Sequence, residues 1–110
     1  MERFSEYRVM WIMVFFDLPT ETKKERRDHA LFRKNLVRDG FTMFQFSIYM
    51  RHCASRENMQ VHIRRVKKFL PEKGKVGIIG ITDKQFGEME IFIGKKETNQ
   101  SSEALQLELF

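Results

Sequence analysis

The chain has 110 residues, 42% of them hydrophobic, which is the size of one modest domain with a single core. All 20 Lys and Arg lie within residues 1–96, where only 12 Asp and Glu oppose them, and this net charge of +8 favours a polyanionic partner, with nucleic acid ahead of membrane. A single cysteine excludes an internal disulfide, and the apolar stretch near the start is too short for a signal peptide or a membrane span, so we expect a soluble cytoplasmic protein with no membrane contact.

The first predicted element is a strand over residues 9–17 (VMWIMVFFD), in which eight apolar residues run directly into Asp17. An apolar run of this length is typical of a strand that is buried on both faces, so Asp17 marks the point where the strand leaves the core. A carboxylate there, close to the start of a basic helix, suits a divalent metal ion together with a phosphate ester. The alternative interpretation is that Asp17 caps the turn into that helix.

A capping box at Thr22 starts a predicted helix over residues 22–39, and Gly40 ends it as a left-handed cap. The periodicity of a helix divides its cations into an outer stripe and an inward set that faces the sheet. The outer stripe predicts a contact with the backbone of a nucleic-acid duplex, and a solvated helix face is the alternative. A guanidinium of the inward set must bind an anion or extend along apolar surface to reach water. We expect Arg26 to reach the surroundings of Asp17 as a structural or phosphate partner of the site, and we count both inward arginines with the outer stripe as candidate nucleic-acid-binding residues. The stripe consists of Lys23, Arg27, Lys34 and Arg38, and the inward set of Arg26 and Arg33.

Residues 41–51 (FTMFQFSIYMR) are rich in aromatic and branched side chains and form either one straight strand or a tight hairpin that turns near residues 45–47. On a straight strand Gln45, Ser47 and Tyr49 share one face. Their polar groups then either hydrogen-bond near the carboxylate site or lie satisfied in an interface between two copies of the chain.

A second helix is predicted over residues 55–70, ending before Pro71, and strands are predicted over residues 75–82 (KVGIIGIT) and 89–93. The helix carries an apolar stripe and a basic cluster that either extends the phosphate contact or is simply exposed. The stripe consists of Met59, Ile63, Val66 and Leu70, and the cluster of Arg64, Arg65, Lys67 and Lys68.

If residues 41–53 form two strands, the element order is β-α-β-β-α-β plus an extra C-terminal strand. This is the ferredoxin-like plan of an α+β fold, an antiparallel sheet with two helices on one face. The first strand is apolar on both sides, so we expect the open face of the sheet to pack against a second copy in a twofold homodimer. We take residues 1–96 as this domain and 97–110 as a tail, in which residues 105–110 (LQLELF) either pair with a sheet edge of this chain or its partner, or fray.

Four blocks of the sequence resemble the CRISPR-associated protein 2 family, in particular members from type II systems: residues 16–26 (FDLPTETKKER), 32–36 (FRKNL), 40–49 (GFTMFQFSIY) and 82–86 (TDKQF). The resemblance implies a ferredoxin-like homodimer that works with the CRISPR integrase in acquiring new spacers. It also implies a metal-dependent endonuclease on RNA or double-stranded DNA, with Asp17 as the metal-binding and catalytic position. Many members carry Tyr before that Asp, where this chain has Phe16, so no hydroxyl acts there.

A lone carboxylate is a poor site for Mg2+ or another divalent cation, because the ion takes an octahedral shell of oxygens and usually more than one protein ligand. A twofold dimer lets Asp17 of each chain supply a carboxylate to one shared ion. We name Phe16, Ser47 and Tyr49 as candidate supporting residues.

Two functions stay open. One is a Mg2+-dependent nuclease, and the other is a non-catalytic scaffold that bridges integrase subunits and measures duplex DNA. A binder of single-stranded RNA on the sheet face is a third, disfavoured because residues 75–82 contain no aromatic side chain.

Overall fold

The computed structural model describes residues 8–98, so the predicted tail strand over residues 105–110 lies outside the described residues. Four antiparallel strands form one sheet in the order β2-β3-β1-β4, and β5 and β6 form a separate two-stranded sheet. This confirms the predicted ferredoxin-like α+β fold, and the division into domain and tail stays a prediction. The elements in chain order are β1 (Met10–Asp17), α1 (Lys23–Arg38), β2 (Thr42–Gln45), β3 (Ile48–Cys53), α2 (Arg56–Lys68), β4 (Lys75–Thr82), α3 (Asp83–Gly87), β5 (Ile91–Ile93) and β6 (Lys96–Thr98).

Strand β1 is central, because it pairs with β3 on one side and with β4 on the other. Its side chains alternate between two apolar clusters, as the period of a strand requires. The even-numbered residues from Met10 to Phe16 form the main core with side chains of α1 and α2. Trp11 lies on the opposite face in a second, smaller cluster. Asp17 therefore ends a strand that is fixed from both sides.

Helix α1 begins and ends where its capping residues predict. The Thr22 hydroxyl accepts a hydrogen bond from the backbone N–H of Glu25 at 3.1 Å, and the Glu25 carboxylate accepts one from the N–H of Thr22 at 3.0 Å. These bonds satisfy two of the free donors at the helix start. Gly40 follows the helix with φ of 92°, a conformation that favours glycine.

Helix α2 is shorter than predicted. It ends at Lys68, and the predicted stripe residue Leu70 is 45% exposed, so its place in the core stripe was wrong. Phe69 packs against the core instead, because the chain leaves the helix two residues earlier than the periodicity suggested. Met59 and Val66 are buried as expected.

Residues 41–53 form the hairpin and not the straight strand. Strands β2 and β3 pair with a register irregularity between Met43 and Gln45, and the chain turns at Phe46 and Ser47. The predicted common face of Gln45, Ser47 and Tyr49 is wrong, because the turn separates Gln45 on β2 from Tyr49 on β3.

Helix α3, which the sequence analysis missed, covers part of the face that was expected to be open. The Phe86 ring stacks on Trp11 with ring centroids 3.9 Å apart, and the Trp11 indole N–H donates to the Asp83 carboxylate at 2.7 Å. Another part of this face is left uncovered by residues 8–98, since Phe15 is 45% and Ile79 is 48% exposed. The apolar surface left for a second copy is therefore smaller than the sequence suggested, and it lies next to Asp17.

The single cysteine, Cys53, is 1% exposed within the main core. Burial raises the pKa of its thiol to about 11. A thiolate is the reactive form of cysteine, so this thiol is inert at neutral pH in the folded chain.

Two leucines on α1 test the packing of this helix. Leu36 is fully buried and Leu31 is 54% exposed. We expect Leu36→Ala to lower the free energy of unfolding by about 2–5 kcal/mol because it leaves a cavity. Leu31→Ala is the matched control and should change it by about 0.5 kcal/mol or less. Urea unfolding followed by circular dichroism measures both, and similar losses in the two variants would contradict the placement of α1.

Candidate nucleic-acid and metal site at Asp17

Asp17 lies at the end of β1, with its side chain exposed on the sheet face opposite the helices. This follows from the alternation along the strand, because Phe16 belongs to the helix-side core and Phe15 is on the other face. An open groove surrounds the carboxylate. Its lining residues are Phe15, Phe16, Asp17, Ser47, Ile48, Lys75, Val76 and Gly77.

Ser47 is brought to this groove by the turn of the β2–β3 hairpin. The backbone N–H of Phe16 donates to the carbonyl oxygen of Ser47 at 3.0 Å, which ties the turn to the end of β1. The structure thus places Ser47, a predicted supporting residue, beside Asp17. A hydroxyl is available there as a donor or acceptor.

Phe16 and Tyr49, the other predicted supporting residues, act from beneath the groove. The Phe16 ring meets Phe32 edge to face at a centroid distance of 5.1 Å and stacks near Tyr49 at 5.9 Å. Tyr49 is 2% exposed, so its hydroxyl does not reach the groove as a free group. Both side chains fix the end of β1 by packing.

Arg33 turns toward the sheet, as its place on the helix predicts. Its Nε–H donates to the Tyr49 hydroxyl at 2.9 Å, and its guanidinium lies 4.3 Å from the centroid of the Phe46 ring. A cation over an aromatic face is an attractive contact. Arg33 therefore fastens the hairpin turn, with Ser47 on it, to α1.

Arg26 does not turn toward the sheet. It is exposed, and its Nη1 donates to the backbone carbonyls of Thr20 at 3.1 Å and Glu21 at 2.9 Å. The inward orientation predicted for Arg26 is therefore wrong, because the loop before the helix offers it two carbonyl acceptors. Arg26 instead holds the loop that joins Asp17 to α1.

The outer stripe of α1 is exposed to solvent along the helix, with the exposed Leu31 between its two pairs of cations. Within residues 8–98, none of its four side chains has an ion-pair partner, whereas the neighbouring Lys24 is neutralised by Asp28 at 2.9 Å and Glu72 at 3.4 Å. The hydrogen bond that Lys24 donates to the Asp28 carboxylate raises the pKa of Lys24. The stripe consists of Lys23, Arg27, Lys34 and Arg38, as predicted from the helix period. Its positive charge is free to meet an anion.

A buried polar network joins the two helices and the sheet. The His62 ring is 5% exposed, its Nδ1 lies 2.8 Å from the Asp39 carboxylate, and its Nε2 lies 2.7 Å from Nη2 of Arg51. Arg51 is always a donor, so Nε2 accepts and Nδ1–H donates to Asp39. Arg65 also binds Asp39, at 3.0 Å, so it is not a free member of the basic cluster on α2. The network fixes the relative position of the two basic helices.

The groove supplies some of the oxygen ligands that a magnesium ion needs, but not a complete set. The part of the chain that the structure describes contains no group of three or more His, Cys, Asp and Glu side chains that could hold a metal ion. Asp17 supplies one carboxylate, with the Ser47 hydroxyl in the same groove. Mg2+ takes hard oxygen ligands and keeps several waters, so one carboxylate on an open surface is compatible with it but needs a second ligand from elsewhere.

Comparison with known proteins agrees with this architecture. The model of the family described as "CRISPR associated protein Cas2" matches residues 10–89, which span β1 to α3. The chain belongs to the Cas2 family. None of the helices described in this Cas2-family chain has the length and apolar character that crossing a membrane requires.

Three relatives extend the comparison over almost the whole chain. A protein of Flavobacterium psychrophilum is 60% identical over 108 residues, which cover 98% of this chain and 94% of the relative. One of Parvibaculum lavamentivorans is 48% identical over 101 residues, covering 92% and 100%, and one of Ligilactobacillus salivarius is 42% identical over 96 residues, covering 86% and 95%. All three are named CRISPR-associated endoribonuclease Cas2.

The sequence analysis of this Cas2-family chain did not predict that Lys75 lines the groove around Asp17. Lys75 is the cross-strand partner of Asp17 in the pairing of β1 with β4. The signal was present, because antiparallel pairing of residues 75–82 beside residues 9–17 brings the start of one strand to the end of the other. The register, however, is not readable from either strand alone.

A double-mutant cycle tests the contact that holds the hairpin turn. Tyr49→Phe removes the acceptor of a charged donor in a partly buried place, so we expect a loss of about 1–2 kcal/mol in the free energy of unfolding. In an Arg33→Ala background the same change should cost much less, because the hydroxyl then lacks its charged partner. Denaturant unfolding measures all four proteins. Equal costs in both backgrounds would show that the hydroxyl does not act through Arg33.

Proposed function

We propose that this chain is a CRISPR-associated, metal-dependent endonuclease that works as a homodimer, with RNA as the first substrate to test and double-stranded DNA as the second. The observation that carries the proposal is the exposed carboxylate of Asp17, which has no ion-pair partner among the described residues and lies in an open groove. The relatives named endoribonucleases support it, because they align over almost the whole chain.

Asp17 is the residue that would hold the divalent ion, with the Ser47 hydroxyl beside it. The ion, when bound, would stabilise the negative charge that develops on a phosphate during hydrolysis. The protein's own contribution is placement. Arg26 holds the loop after Asp17, and the Phe16 amide binds the carbonyl of Ser47, so both oxygen groups stand on fixed backbone.

A second copy of the chain supplies what one copy lacks. The part of the sheet face that residues 8–98 leave uncovered carries Phe15 and Ile79, about half exposed, and it adjoins Asp17. Burying these side chains in a twofold contact removes apolar surface from water and brings the Asp17 of the partner close. Such a pair of carboxylates would complete the ligand set for one Mg2+ ion.

The free cations on α1 give the nucleic acid a second place of contact. Lys23, Arg27, Lys34 and Arg38 have no ion-pair partners in the described part of the chain, so they can approach phosphates without first breaking an internal bond. Arg26 and Arg33 already donate to Thr20, Glu21 and Tyr49. We therefore assign backbone binding to the outer stripe and positioning of the site to Arg26 and Arg33.

This free basic surface also favours a second candidate function. In that alternative the dimer is a scaffold in spacer acquisition, bridging subunits of the CRISPR integrase and measuring duplex DNA, and any cleavage is incidental. The supporting observation is that the basic stripe lies on the helix layer, whereas Asp17 lies on the opposite face of the sheet. A surface for binding therefore exists apart from the groove.

Replacing Asp17 tests the nuclease. We expect Asp17→Asn to reduce Mg2+-dependent cleavage of a labelled oligoribonucleotide on the order of 100-fold or more, because the charge that holds the ion is lost. Asp28→Asn is the matched control, since Asp28 pairs with Lys24 on α1 away from the groove, and it should cut as the wild type does. Wild-type rates in Asp17→Asn would overturn the proposal. Loss of cleavage with unchanged spacer acquisition in cells would favour the scaffold.

Mixing the two proteins tests whether the carboxylates act as a pair. If one ion needs Asp17 from both chains, an equal mixture of wild-type and Asp17→Asn protein, exchanged to equilibrium, should retain about a quarter of the activity, because only homodimers of the wild type are complete. If each chain acts alone, the mixture should retain about half. Cleavage rates across a series of mixing ratios distinguish a quadratic from a linear dependence.

A further inference from the structure

Lys75 faces the same groove as Asp17 from the neighbouring strand. It begins β4, where it is the register partner of Asp17, and both residues line the groove together with Ser47. Directly opposed residues of an antiparallel pair point to the same side of the sheet with Cβ atoms about 5 Å apart. The long lysine side chain can therefore place its ammonium group above the groove next to the carboxylate.

The two opposite charges are not joined to each other. No ion pair within 4.0 Å links Asp17 to Lys75, and neither charge has another partner among residues 8–98. A structural pair would bring them together, since opposed charges on neighbouring strands attract. Here a carboxylate and an ammonium stand side by side, each free to take a ligand of opposite charge.

Next to these two charges the groove is lined mainly by apolar residues. The Phe15 ring lies so close to the backbone of Gly77 that a Cβ there would be 2.4 Å from ring carbons. Phe15 and Ile48 thus line the groove beside the two charges, and Ser47 adds one hydroxyl. A phosphodiester bound here meets few polar groups, and a nearby apolar wall strengthens each charge interaction that it does make.

We infer that Lys75 binds a non-bridging oxygen of the phosphodiester that is held at Asp17, and so positions the substrate of the site. This inference rests on the proposed function, because it takes the phosphate at Asp17 as given. An ammonium on one side and a carboxylate-held cation on the other match the charge of a phosphodiester. Lys75 is a positioning residue for this substrate class, RNA or DNA.

Lys75 could instead protect the edge of the sheet, and the experiment must distinguish this role from phosphate binding. β4 is an edge strand of the sheet that the structure describes, and lysine on an edge strand discourages pairing with other chains. In that role the charge would affect aggregation but not the number of phosphates that the protein neutralises. Salt dependence of binding measures that number directly.

The experiment measures binding of a fluorescent single-stranded oligoribonucleotide, and in parallel a DNA duplex, to protein that keeps Asp17. Ca2+ replaces Mg2+ to suppress cleavage, and gel electrophoresis after each titration verifies that the probe is intact. We expect Lys75→Gln to weaken binding several-fold and to reduce the slope of log K against log salt by about 0.7 for each lost contact with a single strand. Lys75→Arg should retain the slope because it keeps the charge. Lys84→Gln is the control, since Lys84 pairs with Glu88 beyond the far end of β4.

An unchanged slope in Lys75→Gln, an equal change in Lys84→Gln, or no salt-dependent binding to either probe would each overturn the inference. Its failure is distinguishable from failure of the proposed function. If Asp17→Asn cleaves RNA at the wild-type rate, the proposed role of Asp17 in cleavage is refuted. The salt dependence of binding by the Lys75 variants would still show whether Lys75 contacts a phosphate. If cleavage depends on Asp17 but Lys75→Gln leaves the slope of log K against log salt unchanged, only the role of Lys75 is refuted.

Discussion

The pairing of β1 with both neighbours is the constraint on which the rest of the molecule depends. β3 and β4 hold the strand in register along its length. The side chains on the two faces of β1 belong to two separate apolar clusters. A one-residue slip would exchange those faces, moving Ile12 and Val14 out of the main core. The register is therefore strongly specified. It also decides which groups meet at the end of the strand, because Asp17 can face Lys75 in this register alone.

The Lys and Arg side chains fall into two groups, those that bond to an acceptor within the protein and those that do not. Those near an acid or a carbonyl are used to fasten loops and helices: Lys24 to Asp28, Arg65 to Asp39, and Arg26 to the loop before α1. The outer stripe of α1 has no such acceptors in the described residues and keeps its charge exposed. Burial of the polar network around His62 holds α1 and α2 in one arrangement, so the exposed charges are presented from a fixed surface. A polyanion can therefore bind this surface without first having to fix the arrangement of the two helices.

Local signals predicted the fold well where they act over a few residues. The capping box at Thr22 and the glycine at residue 40 gave both ends of α1, and the apolar run of residues 75–82 coincides with β4. Helix α3 escaped notice because five residues are too few to show a helical period, although Thr82 and Gln85 form a capping box.

The candidate site was predictable only in part. Alternation along β1 placed Asp17 at the end of the strand, but the register that adds Lys75 arises from tertiary pairing. The direction of Arg26 was also out of reach, because the helix period says where a side chain starts and not which backbone carbonyls the preceding loop will offer. Whether the uncovered sheet face belonged to a partner could not be judged without α3, since the stacking of Phe86 on Trp11 joins residues far apart in the chain.

The buried thiol of Cys53 has a practical consequence for anyone who wishes to watch the assembly form. The chain has one native cysteine, and the core shields it from maleimide and other electrophiles at neutral pH. A cysteine introduced at an exposed position would thus carry a dye or a spin label with negligible background. Fluorescence transfer or electron-spin distances between two such labels would then report the geometry of a pair of chains in solution without removal of any native residue.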